Sequence, residues 1–155
     1  MAQKKYWLMK SEPSTYSLDD LKNESNKTDL WEGVRNYQAR NFIRDMKKGD
    51  LAFFYHSNCK VPGIVGIVEI TKEFYPDPTA FDQKSPYYDI KSTPDNPRWS
   101  CVDVTYKKTF KNILSLTQLK EQEDLNEFAL VKKGNRLSIM PVPSKLWHTI
   151  VNLAN

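Results

Sequence analysis

The chain has 155 residues, of which 39% are hydrophobic and 27% charged, and its 23 Lys and Arg residues exceed its 19 Asp and Glu residues. This length and composition predict one globular domain over residues 1–155, and the net charge of +4 favours a polyanionic partner. The longest apolar run, residues 63–68, is far shorter than the roughly 20 residues that span a bilayer. The N-terminal apolar run is too short for the core of a signal peptide. We therefore expect a soluble cytoplasmic protein with no membrane partner.

The spacing of cysteine and histidine residues gives little support to a metal site. His56 and Cys59 form an H-x-x-C pair, but no second pair has ligand spacing, and a structural zinc ion needs four ligands. Cys59 and Cys101 lie in separate segments, which predicts reduced thiols, with a disulfide as the alternative. We predict no metal ion and no cofactor.

The first elements along the chain are a strand and a capped helix. Residues 6–9 form a short apolar and aromatic run, which indicates a strand. Ser17 is followed by Leu18 and two aspartates, a pattern typical of a helix N-terminus with Ser17 as the N-cap. This helix is expected to bury Leu18 and Leu21.

An amphipathic helix is predicted next, and its beginning lies within residues 31–42, WEGVRNYQARNF. Its apolar face consists of Ala39, Phe42, Ile43 and Met46, at helical spacing. A basic ridge on another face consists of Arg40, Arg44 and Lys47. Gly49 is placed to end the helix, and residues 31–37 are expected to form the loop that enters it.

The middle of the chain favours strands. Residues 51–56 and 63–70 are rich in β-branched or aromatic side chains, which predicts two neighbouring strands. Residues 74–98 contain most of the prolines, and a loop of this length is usually functional or mobile, so we expect it to form a lid. Residues 99–106 alternate, with Val102, Val104 and Tyr106 on one side, which predicts a strand buried on one face.

Three elements complete the predicted fold. Ser115 and Gln118 fit a capping box at the start of a short helix, and residues 136–142 read as a last strand. Ser144 is expected to cap a terminal helix whose inward face is Leu146, Trp147, Ile150 and Val151. Because no regular βαβ alternation occurs, we predict an α+β domain with a curved or barrel-like, mostly antiparallel sheet of about five to six strands and surrounding short helices.

Catalytic chemistry has weak support in the sequence. Tyr55, His56 and Ser57 place a histidine between two hydroxyls, but neighbouring side chains of a strand point to opposite faces, so His56 is not expected to contact Ser57. No G-x-S-x-G or Cys-His signature accompanies them. The chain has five glycines and no phosphate-loop spacing, which disfavours nucleoside triphosphate hydrolysis.

The remaining polar and aromatic residues suit recognition of an extruded nucleobase. Such recognition needs ring faces for stacking, short polar groups for the base edge and cations for the flanking phosphates. These groups are supplied by Trp31, Arg35, Asn36, Tyr37, Tyr55, His56, Ser57, Asn58 and Ser138. The alternative, which composition favours, places Trp31 and Tyr37 in the core and Arg35 in a surface ion pair.

Several motifs in a fixed order carry a family resemblance. They are WLMKSEP (7–13), GVRNYQARNF (33–42), FFYHSN (53–58), PGIVGIVEI (62–70), YPDPTAFD (75–82), PRWSCVDV (97–104) and RLSI-P (136–141). Together they resemble the EVE domain family over essentially the whole chain. The resemblance implies a PUA-like fold, related to domains that accept a base in a pocket, and the binding of a modified nucleobase.

Carried over motif by motif, the resemblance implies a base pocket drawn from several segments. Its residues are Lys10, Ser11, Trp31, Val34, Arg35, Asn36, Tyr37, Tyr55, His56, Ser57, Arg136 and Ser138. One position departs from the family pattern, because eukaryotic relatives carry Gln where this chain has Met140, a soft apolar side chain. If Met140 touches the ligand, the base preference of a relative does not transfer to this chain.

The leading hypothesis is a monomeric, non-catalytic reader that accepts a flipped, modified base of DNA or RNA. The base would stack on Trp31 or Tyr37. The flanking phosphates would be contacted by Lys10, Arg35, Arg40 and Arg44. Two alternatives stay open: an enzyme acting on a modified nucleoside or small amide, with His56 or Lys10 as the base, and a protein-interaction module that uses the loop of residues 75–88.

Overall fold

The computed structural model describes residues 4–155, in which six strands and four α-helices form the framework. The strands are β1 (Tyr6–Ser11), β2 (Thr28–Leu30), β3 (Leu51–His56), β4 (Gly63–Pro76), β5 (Ser100–Ser115) and β6 (Ile139–Pro141). The α-helices are α1 (Leu18–Lys22), α2 (Tyr37–Asp45), α3 (Leu116–Lys120) and α4 (Ser144–Ala154). Short 3₁₀ helices occupy Ser25–Lys27, Pro78–Phe81, Glu123–Leu125 and Ala129–Val131.

The strands form one sheet in the order β2-β5-β4-β3-β1-β6. Among the described strands, β1 and β3 pair in parallel and the other four pairings are antiparallel. The predicted α+β class and the mostly antiparallel sheet are therefore confirmed. The sheet is open and not closed into a barrel, since β2 and β6 lie at opposite edges and do not pair with each other within the described residues.

Register shifts curve the two long strands, β4 and β5, around each other. Gly66 lies at one of these shifts, where the backbones approach closely. A Cβ atom at this position would collide with the carbonyl oxygen of Lys108 and lie 2.5 Å from a methyl carbon of Leu18. This glycine therefore permits the bulge that bends the sheet.

Both faces of the central sheet are buried, and each face has its own apolar cluster. Along β1, Trp7 and Met9 belong to one cluster, whereas Leu8 between them belongs to the other. In the neighbouring β3, Phe54 joins the first cluster and Phe53 the second. Burial on both faces explains why these strands are continuously apolar and do not alternate.

The predicted helix starts were correct where local side-chain chemistry determines them. Ser17 and Asp20 form a reciprocal capping box at α1, and Ser115 and Gln118 form one at α3. The prediction for Ser144 was wrong, because the N-cap position of α4 is Pro143 and no side chain caps this helix. The predicted inward face of α4 nevertheless packs on the second cluster.

The predicted end of the amphipathic helix was also wrong. The helix α2 ends at Asp45, and Met46 already has an extended ψ of 139°. Met46 is fully buried all the same, and Lys47 lies outside the helix, so the basic ridge contains only Arg40 and Arg44. Gly49, with φ of 96°, forms a turn whose N–H donates to the carbonyl of Ile70 at 2.8 Å. The predicted burial of Met46 is therefore correct, although Met46 lies outside the helix.

Several predicted strands have different limits in the structure, and the strand predicted for residues 63–70 continues to Pro76, into the segment predicted as a loop. The strand predicted for residues 99–106 continues to Ser115, and Cys101 is fully buried, so this part of β5 is not buried on one face alone. The last strand covers only Ile139–Pro141. Both cysteines are free thiols, as expected. Within residues 4–155 no helix has the length and apolar character needed to cross a membrane.

Candidate functional site

A cleft of about 630 Å³ lies beside the carboxyl ends of β1 and β3, and we call it the first cleft. It brings together most of the side chains predicted for a base pocket. These are Lys10, Ser11, Trp31, Val34, Arg35, Asn36, Ser57, Arg136 and Ser138. They come from distant parts of the chain because the parallel pair β1 and β3 ends at one edge and residues 31–36 cross in front of it.

Three predicted residues lie outside the first cleft. Tyr37 is 51% exposed and stacks on Trp99 with ring centroids 4.8 Å apart. Tyr55 is buried and lines a second cleft. The Nε2 atom of His56 accepts a hydrogen bond from the backbone N–H of Leu18 at 3.2 Å, and burial lowers the pKa of this imidazole. His56 therefore holds the start of α1.

Trp31 is both a core residue and a wall of the first cleft. Only 8% of it is exposed, and its ring meets Phe54 edge to face at a centroid distance of 5.3 Å. Its backbone N–H donates to the carbonyl of Val102 at 2.7 Å. The two interpretations of Trp31 from the sequence, core ring and pocket ring, thus apply to the same side chain.

Arg35 fixes the rim of the first cleft through an ion pair with Asp77, with Nη1 and Oδ2 3.0 Å apart. Asp77 is fully buried, and its Oδ2 atom also accepts the backbone N–H of Gly33 at 2.8 Å. The guanidinium further donates to the carbonyls of Val34 and Tyr87 and to the hydroxyl of Thr79. All of its N–H groups have a partner, so none is free for a phosphate. The alternative of an ion pair is correct for Arg35, but the pair is formed with a buried carboxylate and not on the surface.

Tyr87 covers Gly33 and joins the proline-rich loop to the first cleft. Gly33 has φ of 84°, and a Cβ atom there would lie 2.7 Å from the Cζ atom of the Tyr87 ring. The carbonyl of Tyr87 accepts two hydrogen bonds from Arg35, at 3.0 and 2.8 Å. The loop that we expected to act as a lid is therefore pinned against the first cleft in this structure.

Three carboxylates line the first cleft, and the sequence analysis did not identify them. Asp29 accepts the hydroxyl of Tyr16 at 2.9 Å and the backbone N–H of Leu30 at 2.8 Å. Glu12 accepts the amide of Asn58 at 2.8 Å. Burial raises the pKa of Glu32, as do the nearby charges of Asp77 and Asp29. The cleft therefore offers strong acceptors to a ligand that carries N–H groups.

These carboxylates and Asp77 were missed for a physical reason. Glu12 and Asp77 bond to residues 46 and 44 positions away, Asp29 bonds to Tyr16 13 positions away, and Glu32 lies in the segment between β2 and α2. Spacing in the sequence carries no signal for these contacts. Only Asp77 had a local signal, because Asp followed by Pro is typical of a capped turn, and its side chain does cap the helix Pro78–Phe81. Its pairing with Arg35, 42 residues away, has no such signal.

The positive side of the first cleft consists of Lys10 and Arg136. The backbone N–H of Lys10 donates to the carbonyl of Ser138 at 2.8 Å, which ties β1 to the segment that carries Arg136. The ammonium group of Lys10 lies 5.6 Å from the ring centroid of Tyr55, and burial lowers its pKa. Arg136 is exposed, and it makes no ion pair within residues 4–155.

Arg40 and Arg44 lie on α2, outside the first cleft, and hold a neighbouring segment. Arg40 donates to the carbonyl of Arg98 at 3.1 Å, and Arg44 donates to the hydroxyl of Ser100 at 3.0 Å. Arg40 also lies over the ring of Tyr37, 4.7 Å from its centroid. These contacts place both arginines where β5 begins, away from the lining of the first cleft.

Met140 does not line the first cleft either. It is 1% exposed and belongs to the apolar cluster on the opposite face of the sheet from Trp31. The departure from the family pattern at this position therefore lies in the core. Among the described residues no three His, Cys, Asp or Glu side chains are grouped so that they would hold a metal ion.

Comparisons with known proteins agree with this architecture. A family model described as EVE domain matches residues 5–153. Thymocyte nuclear protein 1 of Gallus gallus is 47% identical over 165 aligned residues, which cover 96% of this chain and 68% of the relative. A crystal structure from Pseudomonas putida is 53% identical with a TM-score of 0.93, covering 97% of this chain and 99% of the other. Human THYN1, solved in complex with DNA containing 5-methylcytosine, is 43% identical with a TM-score of 0.94, covering 98% of each chain.

Proposed function

Because the chain belongs to the EVE domain family, we propose that it is a non-catalytic reader that takes a modified cytosine of DNA into the first cleft. The observation that carries this proposal is the fold shared with human THYN1, which was solved bound to DNA containing 5-methylcytosine. The first cleft supports it, because a volume of about 630 Å³ is in the range of small-molecule pockets.

The walls of the first cleft suit a methylated base that carries an amino group. Trp31 and Val34 supply buried apolar surface against which a 5-methyl group can pack. Asp29 and Glu32 supply acceptors for an exocyclic amine, and Ser11, Ser57 and Asn36 supply short polar groups. Thymine has the same 5-methyl group but a carbonyl in place of the amine, so the carboxylates favour 5-methylcytosine over thymine.

The free energies of methyl burial and base extrusion limit how strongly the protein can prefer a modified base. Burial of one methyl group contributes about 0.8 kcal/mol, which is roughly a fourfold preference for 5-methylcytosine over cytosine. Extruding a base from a duplex costs a few kcal/mol. We therefore infer that base flipping is required with duplex DNA and that single-stranded or unpaired sites bind more tightly.

We infer that no reaction follows binding. The Nε2 atom of His56, the first candidate for a base, is occupied by the N–H of Leu18 and lies outside the first cleft. Lys10 lines the cleft but packs its ammonium group over the ring of Tyr55. Neither residue is paired with a nucleophile, so binding without turnover is the function that the contacts favour.

The scope of the proposal includes three further expectations. We propose that residues 1–155 act as one EVE domain, that the protein is a monomer, and that single-stranded RNA with a modified cytosine is a weaker partner. The cytoplasmic location stays a prediction, since the vertebrate relatives are named as nuclear proteins. Light scattering of the protein with and without oligonucleotide tests the monomer.

A titration with short single-stranded oligonucleotides tests the reader. Each carries one central 5-methylcytosine, cytosine or thymine, and affinity is measured by fluorescence anisotropy at several salt concentrations. We expect 5-methylcytosine to bind most tightly, and the proposal fails if no oligonucleotide shows salt-sensitive binding. Removing an acceptor with Glu32→Ala should reduce discrimination between 5-methylcytosine and thymine by about tenfold, the value of a charged hydrogen bond.

The matched control for this variant is Asp45→Ala. Asp45 is exposed at the end of α2 and does not line the first cleft, so its removal changes the net charge equally. Equal loss of discrimination in both variants would show that net charge, and not the position of Glu32, is responsible. Mass spectrometry of the oligonucleotide after long incubation would reveal turnover and overturn the non-catalytic assignment.

A further inference from the structure

A second cleft of about 600 Å³ lies next to the first, and we call it the lysine cleft. The two clefts share Lys10 and are separated by residues 132–138. Arg136 and Ser138 of this segment line the first cleft, whereas Lys132, Lys133, Gly134 and Asn135 line the lysine cleft. Lys10 therefore lies at the boundary between the two clefts.

The charge of the lysine cleft has one sign. Its charged lining residues are Lys10, Lys120, Lys132 and Lys133, and no carboxylate among the described residues lines it. Lys132 pairs with Glu127 at 3.0 Å, but the two side chains are 50% and 84% exposed. An exposed pair contributes little and is screened by salt, so Lys132 can exchange this partner for a phosphate.

The loop of the lysine cleft is held in place and still has unused donors. The side-chain amide of Asn135 donates to the carbonyl of Ala129, and its oxygen accepts the N–H of Leu137 at 2.8 Å. Gly134 turns the chain with φ of 82°. The backbone N–H groups of Lys133 and Gly134 have no acceptor among residues 4–155. Neighbouring free N–H groups beside lysines form an anion-binding surface.

The floor of the lysine cleft favours a phosphodiester chain over a second base. Tyr55 presents a ring that is already covered by Lys10, and Leu116, Leu130 and Val131 form the remaining apolar surface. No carboxylate is present to accept the N–H groups of a base edge, in contrast to the first cleft. The chemistry is that of a polyanion site with a small apolar floor.

We propose that the lysine cleft binds the phosphodiester backbone of the same strand whose base occupies the first cleft, on one side of that base. This inference rests on the proposed reader function. The strand passes Lys10, which contacts the phosphate next to the flipped base. The following phosphates contact Lys120, Lys132 and Lys133, while the other flank of the base receives no such contacts.

The test compares the double variant Lys120→Gln/Lys133→Gln with the wild-type protein. Both side chains are exposed, so the variant is expected to fold. Each lost contact lowers the salt slope of single-strand binding by about 0.7, so two contacts lower it by about 1.4. The affinity advantage of the wild type should then shrink about sevenfold between about 50 and 200 mM salt.

The control is Lys47→Gln/Lys48→Gln, which removes the same charge from an exposed segment outside both clefts. We expect its salt slope to stay close to that of the wild type. Equal slopes in the two double variants would overturn the proposal, because the effect would then come from net charge alone.

The direction of the strand is tested with oligonucleotides that extend only 5′ or only 3′ of 5-methylcytosine. One of the two extensions should raise the affinity of the wild-type protein, and the Lys120→Gln/Lys133→Gln variant should lose this gain. The affinity for the oligonucleotide with the other extension should be the same in both proteins. Equal gains in affinity from both extensions contradict binding on one side.

The free nucleoside 5-methyl-2′-deoxycytidine separates backbone binding in the lysine cleft from the reader function of the first cleft. Its affinity should be the same for the wild type and the Lys120→Gln/Lys133→Gln variant. A failure of every modified ligand to bind would overturn the reader function instead.

Discussion

The two clefts share one lysine and differ in how their polar groups are used. At the rim of the first cleft, Arg35 and Asp77 form hydrogen bonds with other groups of the protein, and these bonds hold residues 33–35 and 77–79 together. In the lysine cleft, Lys120 and Lys133 extend into solvent without an ion pair within the described residues. A cleft wall that internal hydrogen bonds hold rigid can recognise the shape and the hydrogen-bonding edge of a base. Free charges instead bind a flexible polyanion, with strong salt dependence.

The largest expected effect comes from breaking the rigid wall at its buried carboxylate. Asp77→Ala leaves Arg35 without its ion pair and the N–H of Gly33 without an acceptor. Because the side chain of Arg35 is 22% exposed, we expect a loss of about 2–3 kcal/mol in the free energy of unfolding, below the value for a fully buried pair.

Urea unfolding measures this loss, and Asp82→Ala is the control. Asp82 is exposed and accepts only a local backbone hydrogen bond from Lys84, so its change should be within about 0.5 kcal/mol. Equal destabilisation by both variants would show that the Asp77 contacts do not hold the rim of the first cleft.

Two of the glycines with positive φ, one in each cleft, provide a direct comparison between the clefts. Gly33 and Gly134 have φ of 84° and 82°, but an added Cβ at Gly33 meets the ring of Tyr87, whereas one at Gly134 meets nothing within 4 Å. Gly134→Ala should cost about 1 kcal/mol for backbone strain alone. Gly33→Ala should cost about 2 kcal/mol, since overpacking adds about 1 kcal/mol to the same strain.

A double-mutant cycle isolates the contribution of the ring. In a Tyr87→Ala background the steric conflict is absent, so Gly33→Ala should cost no more than Gly134→Ala does. The unfolding free energies of the single and double variants, measured in urea, give this coupling. A cost at Gly33 that does not depend on residue 87 would contradict the close contact between Gly33 and Tyr87.

The smallest expected effect concerns His56, which stabilises the start of α1 only while Nε2 is unprotonated. Burial lowers its pKa in the folded state, and unfolded histidine has a pKa of about 6.5. The unfolded state therefore binds more protons below this pH. The stability from His56 is complete above about pH 6.5 and falls as pH drops toward the folded pKa.

Thermal unfolding between about pH 5 and 8, the range in which histidine titrates, measures this dependence. His56→Gln keeps an acceptor for the N–H of Leu18 but does not titrate, so the decrease in Tm on acidification should be smaller than in the wild type. His148→Gln is the control, because His148 is exposed on α4 and contacts the edge of the Tyr6 ring. If both variants keep the wild-type pH dependence, His56 does not titrate in the proposed way.

The pattern of correct and wrong predictions follows the range of the interactions involved. The capping boxes at Ser17 and Ser115 were predictable because donor and acceptor lie three residues apart. The burial of Met46 was predicted correctly, but from the periodicity of a helix that in the structure ends at Asp45. The fold class was predictable because strand patterns and a family resemblance carry it through the whole chain.

The candidate site was predictable only in part. Motif resemblance identified residues such as Ser11, Trp31 and Ser138, which line the first cleft. It also included Tyr37 and His56, which follow lining residues in the sequence or precede them but do not line the first cleft. Their side chains contact Trp99 and the backbone of Leu18 instead. Neighbours along a motif need not share a cavity, because alternate side chains of a strand or helix face different surfaces.

The sequence by itself determined the local elements, the EVE family and the excess of positive charge, because capping, periodicity and composition depend on residues that are close together or on totals. The tertiary structure alone decided which charges are free. Asp77 reaches Arg35 across 42 residues of chain, and Tyr87 reaches Gly33 across a proline-rich loop. These contacts use the arginine that the sequence analysis assigned to phosphate, whereas Lys120 and Lys133 are exposed and make no ion pair among the described residues.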